Sequence, residues 1–325
     1  MHKTPILLCA ASALALTSWL LGHGAGTIPG AGIGSDQIPA NVTTAFPSCG
    51  KCHGAFPGGR GAVSFAWTGP LSLSLGQAST HSLTISSIVT GGSGGFALTT
   101  DKGTFQALAN TNVQTGNNGT AVTHTTSATR SWSFQFASKV TGLVQWFAAG
   151  NTVNADGQNT GDSWGWFGTN PSTPGTPYRL FVNDSQVTPI GTGCVGDKGF
   201  VPIVGAATNA TLGQTFNVEL HNAPPQTAAI FALGFSDQAW GPIPLPFDLG
   251  LLGMTGCKLW TSLDLLLPVP TGGSKDGEGT ATLPFPVPNQ AQYKGQSIFF
   301  TALVLDKNAN NFGMSAANGI KAVLQ

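Results

Sequence analysis

Ser131-Trp132-Ser133-Phe134-Gln135-Phe136-Ala137 alternates polar and aromatic residues without a break. Side chains of a β-strand point to opposite faces in turn, so Trp132, Phe134 and Phe136 share one face and Ser133 and Gln135 lie on the other. The stretch predicts a strand with one face buried against a second layer. Similar stretches, β-branched or aromatic and bounded by turn clusters, recur before and after it at 63–67, 81–89, 95–100, 121–126, 143–149 and 178–182. A second block carries them at 215–220, 228–235, 258–267, 279–284, 297–304 and 319–324. The proline-rich stretches 242–246 and 284–288 have to be extended, because proline fixes φ and lacks an N–H donor; they suit sheet edges and connections. No short-period repeat supports a solenoid or a propeller. The expected fold class is all-β, as two sandwich domains.

Composition agrees and excludes several partners. Of 325 residues, 13 are Lys or Arg and 13 are Asp or Glu, so the formal net charge is zero and charged residues make up 8%. An ordinary soluble domain has about 25%. So little basic charge disfavours nucleic-acid binding and docking to anionic membranes. The 45 Gly and 21 Pro point to many tight turns, while 19 Phe and 8 Trp are ample for a core.

The N-terminus reads as an export signal. His2 and Lys3 precede an apolar run from Ile6 to Leu21, small residues follow at 22–26, and no basic stop-transfer cluster comes after. Cleavage is expected near Ala25, leaving no transmembrane span in the mature chain and placing it in the periplasm, at the cell surface or outside the cell. Cys9 leaves with the signal. The expected organisation is a signal peptide at 1–25, a haem-attachment segment at 26–61, a first sandwich at 62–185 and a second at 186–325, with a Pro-rich boundary element at 171–177.

The chemistry-bearing motif is Cys49-Gly50-Lys51-Cys52-His53. C-x-x-C-H is the attachment signature of c-type haem. Two thiols three positions apart can add to the two haem vinyl groups, and the adjacent imidazole then reaches the iron as proximal ligand. Chance would supply such a match on the order of 10⁻³ times in a chain of this content. A plain disulfide, a redox thiol pair and a zinc site are the alternatives; zinc would need two more ligands of metal spacing, and a redox pair normally opens a helix that the surrounding Gly and Pro forbid. The expected cofactor is one covalent haem c, with Cys49 and Cys52 as thioethers and His53 on the iron. His124, within Val122-Thr123-His124-Thr125-Thr126, is the candidate distal ligand, lying on an alternating strand in the same domain as the motif. His81 is its rival and could equally be a solvated strand residue. His221, Met254 and Met314 fall in the second block and read as packing or surface residues.

The first half resembles the bacterial reelin-like (choice-of-anchor V) domain. The resemblance rests on Cys49 to His53, Gly94-Gly95-Phe96-Ala97-Leu98-Thr99, His124-Thr125, Trp132-Ser133-Phe134, and Val144 to Asn151 leading to Gly157 and Gly161-Asp162. It implies an immunoglobulin-like sandwich exposed outside the cytoplasm and a histidine at the His124 position. The second half resembles a C-terminal β-sandwich module of secreted bacterial proteins, through Gly191 to Cys194, Gly234-Phe235-Ser236, Pro244 to Gly250, Gly256 to Leu259 and Pro284 to Asn289. That resemblance implies a disulfide between Cys194 and Cys257. The whole chain thus reads as two immunoglobulin-like sandwiches after a signal peptide and a haem loop.

The sequence offers no nucleophile elbow, no H-E-x-x-H and no phosphate loop leading into a helix, so no enzyme is expected. Residues 150–177 read as a long polar loop region rich in Asn, Asp, Gly and Trp. Asp156, Asp162 and Asp184 stand in Asn- and Gly-rich turns, with Asx turns the default reading and calcium ligation the sharper one. Trp164 and Trp166 flank Gly165 and read as core packing more readily than as a ligand platform. The expected function is electron transfer or redox sensing by an exported mono-haem cytochrome, whose partner is an unidentified redox protein or cell-surface component. The other reading is an extracellular adhesion or structural sandwich in which haem is absent or only structural.

Overall fold

The computed structural model describes residues 63–156, 158, 161–168 and 177–325. The signal peptide, the attachment segment and the motif residues Cys49, Cys52 and His53 lie outside the described residues. Within them the protein is all-β, with three short 3-10 turns and no α-helix. The described residues fall into two units, one made of 63–68, 80–135 and 146–178, the other of 69–79, 136–145 and 179–325.

Through the first half of the chain the strands are β1 (Ser64–Thr68), β2 (Ser72–Ser74), β3 (Ser79–Ser86), β4 (Gly94–Thr100), β5 (Thr104–Ala107), β6 (Val113–Gly116), β7 (Ala121–His124), β8 (Ser131–Ala137), β9 (Gly142–Thr152), β10 (Ser163–Trp166) and β11 (Tyr178–Asn183). The first unit is built on two sheets, one in the order β1-β3-β8-β5 and one running β10-β9-β4-β7-β6. β8 buries alternate residues as its pattern requires: Trp132, Phe134 and Phe136 are inside, while Ser133 and Gln135 are half-exposed. Its Phe134 meets Phe96 of β4 and Trp146 of β9 at centroid distances of 6.3 and 5.8 Å, joining the two sheets face to face. Each such aromatic pair adds about 0.5–1.5 kcal/mol beyond the area it buries.

The second unit continues with β12 (Val187–Ile190), β13 (Ile203–Gly205), β14 (Thr215–Ala223), β15 (Ala228–Gly234), β16 (Ala239–Trp240), β17 (Ile243–Pro244), β18 (Phe247–Asp248), β19 (Lys258–Leu259), β20 (Leu265–Pro270), β21 (Gly279–Pro286), β22 (Ser297–Leu305), β23 (Met314–Ala316) and β24 (Gly319–Val323). One sheet has the order β12-β24-β22-β15-β20, with β23 also on β22, and the other the order β13-β14-β21. Phe216 of β14 and Phe285 of β21 pack on Phe300 of β22 at 5.8 and 5.5 Å, at the centre of one apolar core. The three proline-bearing strands of these two sheets, β12, β20 and β21, are all edges, as a residue without an N–H demands.

Two local expectations are corrected. Residues 258–267 do not form one strand: β19 stops at Leu259 and β20 starts at Leu265. Between them Ser262 Oγ accepts the N–H groups of Phe235 and Ser236, and Asp264 accepts that of Phe235, so these side chains tie down the end of β15 instead of entering a ladder. Residues 163–166, placed by composition in a polar loop, form β10, which pairs with β9 through Gly165 and Gly150. Trp164 and Trp166 are buried there in a cluster with Ala149.

Candidate functional site

His124 is the last residue of β7, paired with Val113 on one side, while its neighbour Thr123 pairs with Ala97 of β4. Its ring reaches back across β4. Nδ1 stands 3.0 Å from the Phe96 amide nitrogen and 3.1 Å from the Phe96 carbonyl oxygen, so the imidazole has a backbone partner in either neutral tautomer. With Nδ1 accepting the Phe96 N–H, the proton sits on Nε2; with Nδ1–H donating to the Phe96 carbonyl, Nε2 presents a lone pair. The second arrangement is the one metal-bound histidines use.

Gly95 is what lets the ring lie there. A Cβ at position 95 would come within 2.6 Å of His124 Nε2, closer than any side chain can sit, so glycine at this point in a strand serves a close approach. Phe96 and Trp132 flank the ring at 6.2 and 6.1 Å. His124 is 9% exposed, and burial pulls its pKa below the ordinary histidine value, an effect partly opposed by the bond to the Phe96 backbone. The ring is therefore a neutral imidazole at physiological pH, the form that binds a metal.

Arg130 fixes the approach to β4. Its guanidinium donates to the carbonyls of Ser93 (Nε, 2.7 Å), Val89 (Nη1, 2.9 Å) and Val153 (Nη2, 3.3 Å). Its alkyl stem would sit 3.1 Å from a Cβ at Gly94. Neither Gly95 nor Arg130 carried a functional reading in the sequence, although a Gly pair inside a strand pattern is a recognised sign of close backbone approach.

The rival His81 is not a solvated strand residue. It is completely buried on β3, stacked on Phe134 at 6.3 Å and edge-on to Trp146 at 4.8 Å. Burial lowers its pKa to about 4. Aromatic rings of β8 and β9 thus wall it on two sides. His221 is buried with Nε2 3.1 Å from Glu219 and its ring stacked on Phe181 at 5.4 Å. Met254 and Met314 pack in the apolar cluster that contains Cys194 and Cys257. These two cysteines are bridged, with an S–S distance of 2.02 Å, across 63 positions of sequence.

The turn aspartates behave as local caps. Asp156 accepts the Gln158 N–H and Asp184 the Gln186 N–H, at 2.8 and 3.0 Å, while Asp162 accepts the Asn154 N–H at 3.0 Å. Compared with known families and with curated proteins, the chain matches none.

Proposed function

We propose that this protein is an exported mono-haem c-type cytochrome, working in electron transfer or redox sensing, with Cys49 and Cys52 holding the porphyrin and His53 and His124 as the axial pair. The motif supplies the proximal half of that reading, and the buried setting of His124 at the end of β7 is the ground for the distal half. The carrying observation is the setting of His124: a buried imidazole, seated on a glycine and oriented through Nδ1 by the Phe96 backbone, as a ligand ring needs to be. The haem, when bound, would supply a one-electron couple whose potential depends on its axial ligands and burial. The residues of the chain orient His124 through Phe96, keep it uncharged by burial, and hold β4 in place through Arg130.

The experiment is the optical and magnetic spectrum of His124→Ala in protein matured with c-type haem machinery. Loss of the second imidazole converts a low-spin iron to high-spin, and added imidazole restores the low-spin form. An unchanged low-spin spectrum removes His124 from the iron.

A purely structural sandwich is the second reading, favoured by one feature: the Phe96 N–H already has an acceptor in Nδ1, so His124 can serve simply to close the edge of a ladder. In that case His124→Ala lowers stability and leaves every spectrum of the protein featureless in the visible.

A further inference from the structure

The last strand of a sheet presents unpaired N–H and C=O groups, and folds guard it with proline, with charge or with a covering element. The ends of the four larger sheets show these devices. β12, β20 and β21 carry proline. β5 and β6 lie against each other, as do β2 and β13. β1 is different. Its residues Ser64-Phe65-Ala66-Trp67-Thr68 pair with β3 on one side, from Ser64 opposite Ser86 to Thr68 opposite Ser82. No described strand pairs with its other side. The strand has no proline, glycine or charge, and the sequence holds no Asp, Glu, Lys or Arg from Gly61 to Thr100.

β1 is also its own complement. In either direction it runs hydroxyl, aromatic, alanine, aromatic, hydroxyl. Two copies laid antiparallel about a two-fold axis at Ala66 bring Ser64 opposite the partner's Thr68 and Phe65 opposite the partner's Trp67. On its outer face the sheet already pairs hydroxyls across strands: Ser82 of β3 meets Ser133 of β8 at 2.7 Å, and Thr84 meets Ser131 at 2.8 Å. Ser64 and Thr68 stand exposed on that same face, since they are register partners of Ser86 and Ser82. On the inner face Phe65 packs on Phe167 and Trp67 on Tyr178, at centroid distances of 5.8 and 4.6 Å, yet both remain only half-buried. A further strand beside β1 would cover more of both rings.

We propose that β1 pairs antiparallel with β1 of a second copy of this chain, joining two four-stranded sheets into one across a two-fold axis at Ala66. Hydroxyl pairs and aromatic pairs across strands are among those that stabilise a sheet. With no charge on β1 and a formal net charge of zero, two copies approach without repulsion. The contact is isologous and uses the open edge of both chains, so association stops at the dimer. This interface goes beyond the cytochrome reading and does not rest on it, because β1 pairs in the same way with or without haem.

The test is sedimentation velocity of the full chain from micromolar to submillimolar concentration, with hydrogen exchange at β1. The expected result is a rise from one chain mass to two as concentration increases, with the β1 amides exchanging more slowly in the dimer. Ala66→Lys and Ala66→Glu each set like charges opposite one another at the axis and should weaken the dimer about fivefold or more. An equimolar mixture of the two variants should dimerise again, since Lys then faces Glu. Position 66 is exposed, so both variants should keep the circular dichroism and unfolding midpoint of dilute wild-type protein. A wild-type chain that stays monomeric overturns the proposal, and slow β1 exchange in that monomer would assign the edge to another strand of the same chain. A dimer unmoved by either charge, or a mixture no tighter than each variant alone, overturns it as well by removing Ala66 from the axis.

Discussion

The imidazole of His124 lies directly on the α-carbon of Gly95, where a Cβ would stand 2.6 Å from Nε2. Gly95→Ala therefore has to push the ring off the Phe96 backbone. The expected cost is about 1–3 kcal/mol of stability, as for other overpacked sites, read as a lower urea midpoint with an unchanged m-value. His124→Ala on top of Gly95→Ala should remove most of the added cost, because the clash has one partner; additive losses would contradict the close approach.

Acid should destabilise the first unit. Burial lowers the His81 pKa to about 4 from an unfolded value of 6.5, so between these limits the unfolded chain binds a proton that the folded state refuses. Stability is unaffected by His81 above the unfolded value, falls as pH drops through the window, and loses on the order of 3 kcal/mol by its lower end. The lowered pKa of His124 acts in the same direction. Denaturant midpoints measured across that window should show a loss that His81→Leu reduces; an equally steep loss in the variant would assign it to other groups.

The Cys194–Cys257 bridge closes 63 positions, which the chain-entropy model converts to about 4 kcal/mol. Reduction, or replacement of both cysteines by serine, should lower the unfolding midpoint of the second unit markedly. Differential scanning calorimetry with and without reductant measures it, and an unchanged trace would mean that the cluster of Met254, Leu259 and Met314 suffices alone.

Arg130 serves three carbonyls with one planar fork. Arg130→Met should cost about 1–3 kcal/mol, since part-buried acceptors lose charged donors while the Ser93 carbonyl keeps the Val153 N–H. Arg130→Lys should recover only part of this, because an ammonium cannot match the fork. Hydrogen exchange at Phe96 and Ala97 gives the local readout: faster exchange is expected in both variants.

How far sequence reaches here depends on the length of the pattern. β8 was legible residue for residue, because Trp132, Phe134 and Phe136 repeat with period two over seven positions. β2, β5 and β6 are three or four residues each, too short for a period to stand out. β6 is flanked by Asn112 and Asn117 in left-handed turns, whose composition reads as loop. β10 was hidden by the Asn- and Gly-rich residues around Trp164 and Trp166, and only pairing with β9 makes those tryptophans a strand. At the site, His124 could be singled out by type and position. Its dependence on Gly95 arises from a contact between residues far apart in sequence, which no local pattern encodes.

Whether Cys49 and Cys52 carry haem, with His53 beside them, is decided by covalent attachment. The chain is expressed with c-type haem maturation machinery, reduced and denatured, and its intact mass and visible spectrum are recorded. A mass increase of one haem is expected, with an absorption band that stays with the polypeptide after denaturation, both lost in the Cys49→Ser, Cys52→Ser double variant. An unmodified mass and a colourless denatured chain would contradict it.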